Sequence, residues 1–75
     1  MYFFPGIFPP MHITLNGQPR EFPDGTTVAQ IIQKLNLTPD KVAVELNRRL
    51  LKTENYITAL KESDTVEIVT FVGGG

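Results

Sequence analysis

Asp64-Thr65-Val66-Glu67-Ile68-Val69-Thr70-Phe71-Val72-Gly73-Gly74-Gly75 is the stretch that decides how this chain is read. From Thr65 to Val72, β-branched and aromatic residues dominate, the composition of a strand. The two-residue period of a strand puts Val66 and Ile68 on one face and Glu67, Val69 and Phe71 on the other. The run stops in three glycines, so the last group of the sequence is an α-carboxylate on a stalk without side chains. Glycine visits both signs of φ and carries no Cβ, so such a stalk fits a narrow channel on another protein. A carboxylate is ionised at neutral pH and is a poor electrophile, so acyl chemistry at Gly75 needs outside activation, most simply by ATP. On that reading the chain is a substrate or carrier. The competing reading is an ordinary frayed terminus, since chain ends are commonly disordered.

Working outward, 75 residues with 41% hydrophobic and 20% charged content describe one small domain, too small to afford a deep cleft. Without cysteine there is no disulfide, thiolate nucleophile or thiolate metal site, which is compatible with a reducing cytoplasm, the expected location. Seven Lys and Arg against eight Asp and Glu leave no basic stripe for phosphates, which argues against nucleic acid. The first ten residues, Met1 to Pro10, hold three of the six prolines and no charged side chain. They lack the basic start of a secretory signal and are too short and Pro-interrupted to span a bilayer. The reading is therefore an extension over residues 1–10, a domain over 11–72 and a glycine tail over 73–75. The alternative for the extension is that Phe3, Phe4 and Phe8 dock on a partner or a second copy.

Within the domain, His12 to Leu15 alternates as a strand, and Asn16-Gly17 is a hairpin signal because both central positions of a type I′ turn favour φ > 0. A return strand runs through Arg20-Glu21-Phe22. Thr27-Val28-Ala29-Gln30 fits a capping box and opens a helix of about two turns, with Val28, Ile31, Ile32 and Leu35 on one stripe and Asn36 at its end. Val42 to Leu46 is a strand with Val42, Val44 and Leu46 inward and Ala43 with Glu45 outward. A turn at Asn47-Arg48, a short edge strand at Arg49 to Leu51, an irregular turn at Asn55 to Ile57 and a turn at Ser63-Asp64 precede the last strand. The order β-β-α-β-β-β predicts an α+β domain, a mixed sheet of four to five strands with one helix packed across one face and the first and last strands parallel at its centre.

This arrangement leaves Val69 and Phe71 without an internal partner, beside Ala43 and Glu45 and next to the tail. Large apolar groups there suggest a surface for whatever handles Gly75. The simpler alternatives are ordinary isolated surface hydrophobes or a cover formed by Tyr2 to Phe8. His12 has no acidic pair or second histidine at ligand spacing and reads as a surface residue rather than a metal ligand. Arg48, Arg49 and Lys52 form a small basic cluster suited at most to steering an acidic partner. Glu45, Glu54, Glu62, Asp64 and Glu67 show no acid/base spacing, and the glycine run lacks the Lys-Ser/Thr and helix of a phosphate loop.

Leu15-Asn16-Gly17, Val44-Glu45-Leu46-Asn47 and Asp64 to Val69 leading to Phe71-Val72-Gly73-Gly74-Gly75, in that order and spacing, resemble the ThiS family over Met11 to Gly75. The resemblance implies a ubiquitin-like β-grasp fold and a sulfur carrier of thiamine biosynthesis rather than an enzyme. It implies that the Gly75 carboxylate is adenylated by an E1-like, ThiF-like adenylyltransferase using ATP and Mg²⁺. A sulfur donor protein then yields a thiocarboxylate, which serves a ThiG-like thiazole synthase. Gly73 and Gly74 would enter the partner, and Val69, Phe71, Val72, Ala43 and Glu45 would meet it. Two departures stand out. Arg48 follows Glu-Leu-Asn where many relatives have glycine, which predicts a different turn, and many relatives stop at two glycines. The third glycine either lengthens the stalk or is trimmed to expose Gly74. A small subunit of molybdopterin synthase resembles this pattern too but typically carries Pro-Pro before its glycines, where this chain has Thr70-Phe71. A non-catalytic ubiquitin-like binding module is the reading from a different class.

Overall fold

In the computed structural model, which describes residues 10–71, each turn signal sits where the backbone needs it. Strands β1 (Pro10–Leu15) and β2 (Gln18–Pro23) pair antiparallel across Asn16 and Gly17, whose φ angles of 50° and 81° are those of the expected two-residue turn. Strand β1 starts one residue before the predicted domain boundary. Pro10 lies opposite Pro23 and belongs to the sheet rather than to the preceding segment. A proline is tolerated there because the first residue of a strand has no ladder donor to lose.

Helix α1 (Val28–Lys34) begins with the predicted capping box: Thr27 Oγ1 accepts from the Gln30 N–H at 3.1 Å, and Gln30 Oε1 accepts from the Thr27 N–H at 2.9 Å. Asn36 closes it at φ 61°, the left-handed conformation of a C-terminal cap. Val28, Ile31 and Ile32 are buried. Leu35 departs from the expected stripe: it is the cap residue, past the last packed turn, and is 37% exposed.

After a 3₁₀ turn at Pro39–Lys41, strands β3 (Val42–Leu46) and β4 (Arg49–Leu51) form a second hairpin, and strand β5 (Thr65–Thr70) follows. The five strands lie in the order β2-β1-β5-β3-β4, so β5 is central, parallel to β1 and antiparallel to β3. The Asn47-Arg48 turn forms without glycine. Both residues hold positive φ, 52° and 71°, so Arg48 takes the left-handed conformation that glycine favours, at a cost on the order of 1 kcal/mol.

Asn47 holds this turn against β5. Its N–H donates to the Thr65 carbonyl at 2.7 Å, its Oδ1 accepts from the Thr65 N–H at 2.8 Å, and its Nδ2 donates to Asp64 Oδ1 at 3.0 Å. Asn16 plays the equivalent part on the other side, where its Oδ1 accepts from the Ile68 N–H at 2.7 Å beyond the end of β1. Each asparagine thus combines a left-handed backbone with an acceptor for an amide of the central strand.

The core lies between α1 and one face of the sheet, built from Met11, Ile13, Leu15, Phe22, Val28, Ile31, Ile32, Val42, Val44, Val66 and Ile68. Tyr56 and Leu60 also belong to it, although their segment carries no strand or helix period. The Ala29 N–H donates to the Tyr56 carbonyl at 3.0 Å and the Leu60 N–H to the Thr26 carbonyl at 2.8 Å, which ties that segment to the start of the helix. No helix among the described residues is long and apolar enough to cross a membrane.

Candidate functional site

Register places the open-face residues side by side. Val69 is opposite Ala43, and Glu67 is opposite Glu45, which on its other flank is opposite Leu50 of β4. Directly opposed residues on one face have Cβ atoms about 5 Å apart, so these side chains form one continuous surface. Val69 and, one residue past the end of β5, Phe71 are each 58% exposed, whereas Val66 and Ile68 of β5 are buried under the helix. Sequence parity predicted this split. It did not place Leu50, which is 71% exposed and adds a third large apolar group to the face. The signal was present in the Arg49-Leu50-Leu51 alternation, since only one of two adjacent leucines faces the core.

The Glu45–Glu67 pair needs a separate explanation. Like charges directly opposite on neighbouring strands destabilise a sheet, and no described residue forms an ion pair with either carboxylate. The strand is fastened to the end of this face. One residue past β5, the Phe71 N–H donates to the Lys41 carbonyl at 2.9 Å, continuing the β3 pairing. Val72, Gly73, Gly74 and Gly75 lie outside the described residues.

Other residues singled out in the sequence fall elsewhere. His12, expected to lack acidic neighbours, lies between two carboxylates, its Nε2 3.2 Å from Glu21 Oε2 and its Nδ1 3.2 Å from Glu62 Oε2. Its N–H also donates to Glu62 Oε1 at 2.8 Å. Cross-strand register supplies Glu21 and a loop 50 residues later supplies Glu62, a separation that sequence spacing does not reveal. Among the described residues no group of three or more His, Cys, Asp or Glu side chains is placed to hold a metal ion. Arg48 and Arg49 lie at the β3–β4 turn, beside the start of β5 and away from Phe71.

A five-stranded mixed sheet with β1 and β5 parallel at its centre, one helix across one face and an apolar open face defines a ubiquitin-like β-grasp protein. Comparison with known proteins agrees. The model of the ThiS family matches residues 13–75, and the chain belongs to that family. The crystal structure of the thiamine biosynthesis protein ThiS from Geobacter metallireducens superposes with a TM-score of 0.65 at 36% identity, covering 87% of this chain and all of that one. The thiazole synthase of Magnetococcus marinus is 41% identical over 66 residues, which is 87% of this chain but 20% of that protein. This chain therefore spans about a fifth of the length of that relative. The uncharacterized protein ycf40 of Porphyra purpurea is 31% identical over 64 residues, 84% of this chain and 90% of that protein.

Proposed function

We propose that this protein carries sulfur as a thiocarboxylate on Gly75 for formation of the thiazole ring of thiamine. The observation that carries the reading is the coupling of an exposed apolar face, Val69, Phe71 and Leu50, to the strand that leads directly into the glycine tail. The tail from Val72 to Gly75 has a maximal reach of about 13 Å, so the docked face sets where the carboxylate can be delivered.

The steps follow from carboxylate chemistry. An E1-like, ThiF-like partner supplies ATP and Mg²⁺. A Gly75 carboxylate oxygen attacks the α-phosphorus, pyrophosphate leaves, and an acyl-adenylate forms. A sulfide-equivalent nucleophile from a sulfur donor protein then attacks the acyl carbon and AMP departs with the C–O bonding pair, leaving a thiocarboxylate. Its sulfur is a better nucleophile than the carboxylate oxygen it replaces, and a ThiG-like thiazole synthase consumes it. The similarity to a segment of larger proteins named thiazole synthase supports that pairing. The chain catalyses none of these steps; it is a co-substrate, and the cytoplasm, where ATP is available, is the compartment proposed for it.

Docking and threading are linked energetically. Ordering each backbone residue costs about 1–2 kcal/mol, so Gly73 and Gly74 enter a partner's channel only when contacts at Val69, Phe71, Val72, Ala43 and Glu45 offset that term. A basic side chain on the partner, set between Glu45 and Glu67, would relieve their repulsion at the same moment.

The test is intact mass after incubation with ATP, Mg²⁺ and an E1-like adenylyltransferase, followed by sulfide. The expected result is an acyl-adenylate and then replacement of one oxygen by sulfur, localised to Gly75. An unchanged mass with an enzyme active on another carrier would overturn the reading in favour of a binding module. Sulfur placed on Gly74 after loss of one residue would correct the attachment site.

A further inference from the structure

The sheet has two outer edges, β2 and β4, and they differ in what they offer to another chain. On the inner side of β2, the Thr14 N–H donates to the Asp64 carbonyl and the His12 carbonyl accepts from the Ser63 N–H. Those residues of β1 therefore face β5, and Met11, Ile13 and Leu15 face β2. Their partners Phe22, Arg20 and Gln18 point inward, which turns the backbone of Pro19, Glu21 and Pro23 outward. Two of these three are prolines and have no N–H to give. The Pro23 carbonyl is also occupied, since the Thr26 hydroxyl and N–H donate to it at 2.6 and 3.1 Å. A strand arriving at β2 meets a single donor, the Glu21 N–H, and this edge is closed to pairing.

The edge at β4 is open. The Asn47 N–H and the Lys41 carbonyl both bond toward β5, so Ala43 and Glu45 face β5 while Val44 and Leu46 face β4. Their partners on β4 are Leu51 and Arg49. Leu50, between these two, directs its N–H and its carbonyl outward, and no described residue bonds to either. The side chains around it decide what can pair there. Arg48, Arg49 and Lys52 are exposed, and none of them is in an ion pair among the described residues. A second copy meeting this edge antiparallel, Leu50 against Leu50, sets Arg48 against Lys52 and is disfavoured by like charge. A strand with carboxylates at those positions meets complementary charge instead.

We propose that β4 receives an extended acidic segment of another protein as an added antiparallel strand. Register fixes its order from N- to C-terminus: an acidic residue opposite Lys52, apolar residues opposite Leu51 and Leu50, and acidic residues opposite Arg49 and Arg48. The residue opposite Leu50 exchanges both backbone hydrogen bonds with it and lies on the same face of the sheet, where its side chain packs against the exposed Leu50. In strand addition the main-chain bonds supply affinity and alternate side chains supply specificity, here through the three cations. This inference extends beyond the carrier reading and does not depend on it.

The probe is the blocked peptide acetyl-Ser-Glu-Val-Val-Glu-Glu-Ser-amide, titrated into the nitrogen-15-labelled full chain while amide hydrogen exchange is followed. The expected result is saturable shifts at Arg49, Leu50, Leu51 and Lys52, with exchange of the Leu50 amide slowed by about tenfold or more. Lysine in place of the peptide's glutamates, or proline in place of its second valine, should abolish both effects. Arg48→Glu combined with Arg49→Glu in the chain should weaken binding by about tenfold or more. The proposal is overturned by the absence of any saturable shift, by equal binding of the lysine peptide, or by shifts centred on β2 or on Val69 and Phe71 without protection at Leu50. None of these readouts involves the glycine tail, so the carrier reading stands or falls separately.

Discussion

The two faces of β5 carry the same kinds of residue to opposite ends. Val66 and Ile68 are 0% and 7% exposed, whereas Val69 on the same strand and Phe71, one residue past its end, are each 58% exposed. Nothing intrinsic to the side chains separates them. The helix covers one face and not the other, so strand parity alone converts one pair into stability and the other into a surface with spare hydrophobicity. A central strand is well suited to this division because hydrogen bonds to both neighbours hold its backbone while its two faces serve different ends.

The largest effect that sharpens the comparison is on the closed face. Ile68→Ala should lower stability by about 2–5 kcal/mol in urea denaturation, and Val69→Ala on the open face by no more than about 0.5. Similar losses for the two would break the comparison. Phe71→Asp should leave the urea midpoint nearly unchanged while weakening an E1-like partner by about tenfold or more in calorimetry, equivalent to about 1.4 kcal/mol. Undiminished binding would remove the open face from the docking role. Asn47→Ala removes side-chain partners of Asp64 and Thr65 and should cost about 1–3 kcal/mol, read as a lower melting temperature. The smallest effect is at the opposed carboxylates: Glu67→Gln should raise stability by a few tenths of a kcal/mol at low salt, a gain that shrinks as salt is added.

Much of this architecture was legible because local chemistry and global fold agree. Asn16-Gly17, Thr27 with Gln30, and Asn36 each impose a local geometry that the sheet and helix then use. The parallel placement of β1 and β5 followed from the few other neighbours open to the first and last strands. What escaped reading depends on neighbours distant in sequence. Tyr56 and Leu60 sit in an aperiodic loop and become core only because Ala29 and Thr26 hold that loop against the helix. Leu35 looked buried by spacing and is not, since the helix ends at Lys34. The Glu62 carboxylate beside His12 and the acceptor that Asn16 offers to Ile68 arise from contacts about 50 residues apart in sequence. Of the open face, parity revealed Val69, Phe71, Ala43 and Glu45, while register alone supplied Leu50 and the opposition of Glu45 to Glu67.

The central position of β5 also has a consequence for how the molecule is made. Strands β1 and β3 do not pair with each other; each waits for β5, which the ribosome delivers after every element it joins. Closing a sheet through its last-made strand depends on contacts of long sequence separation, so little of the fold gains stability while translation is under way. A product broken off before Thr70 lacks part of the strand that unites the two hairpins and carries the exposed Val69. Folding therefore discriminates against chains truncated within β5, which cannot close the sheet.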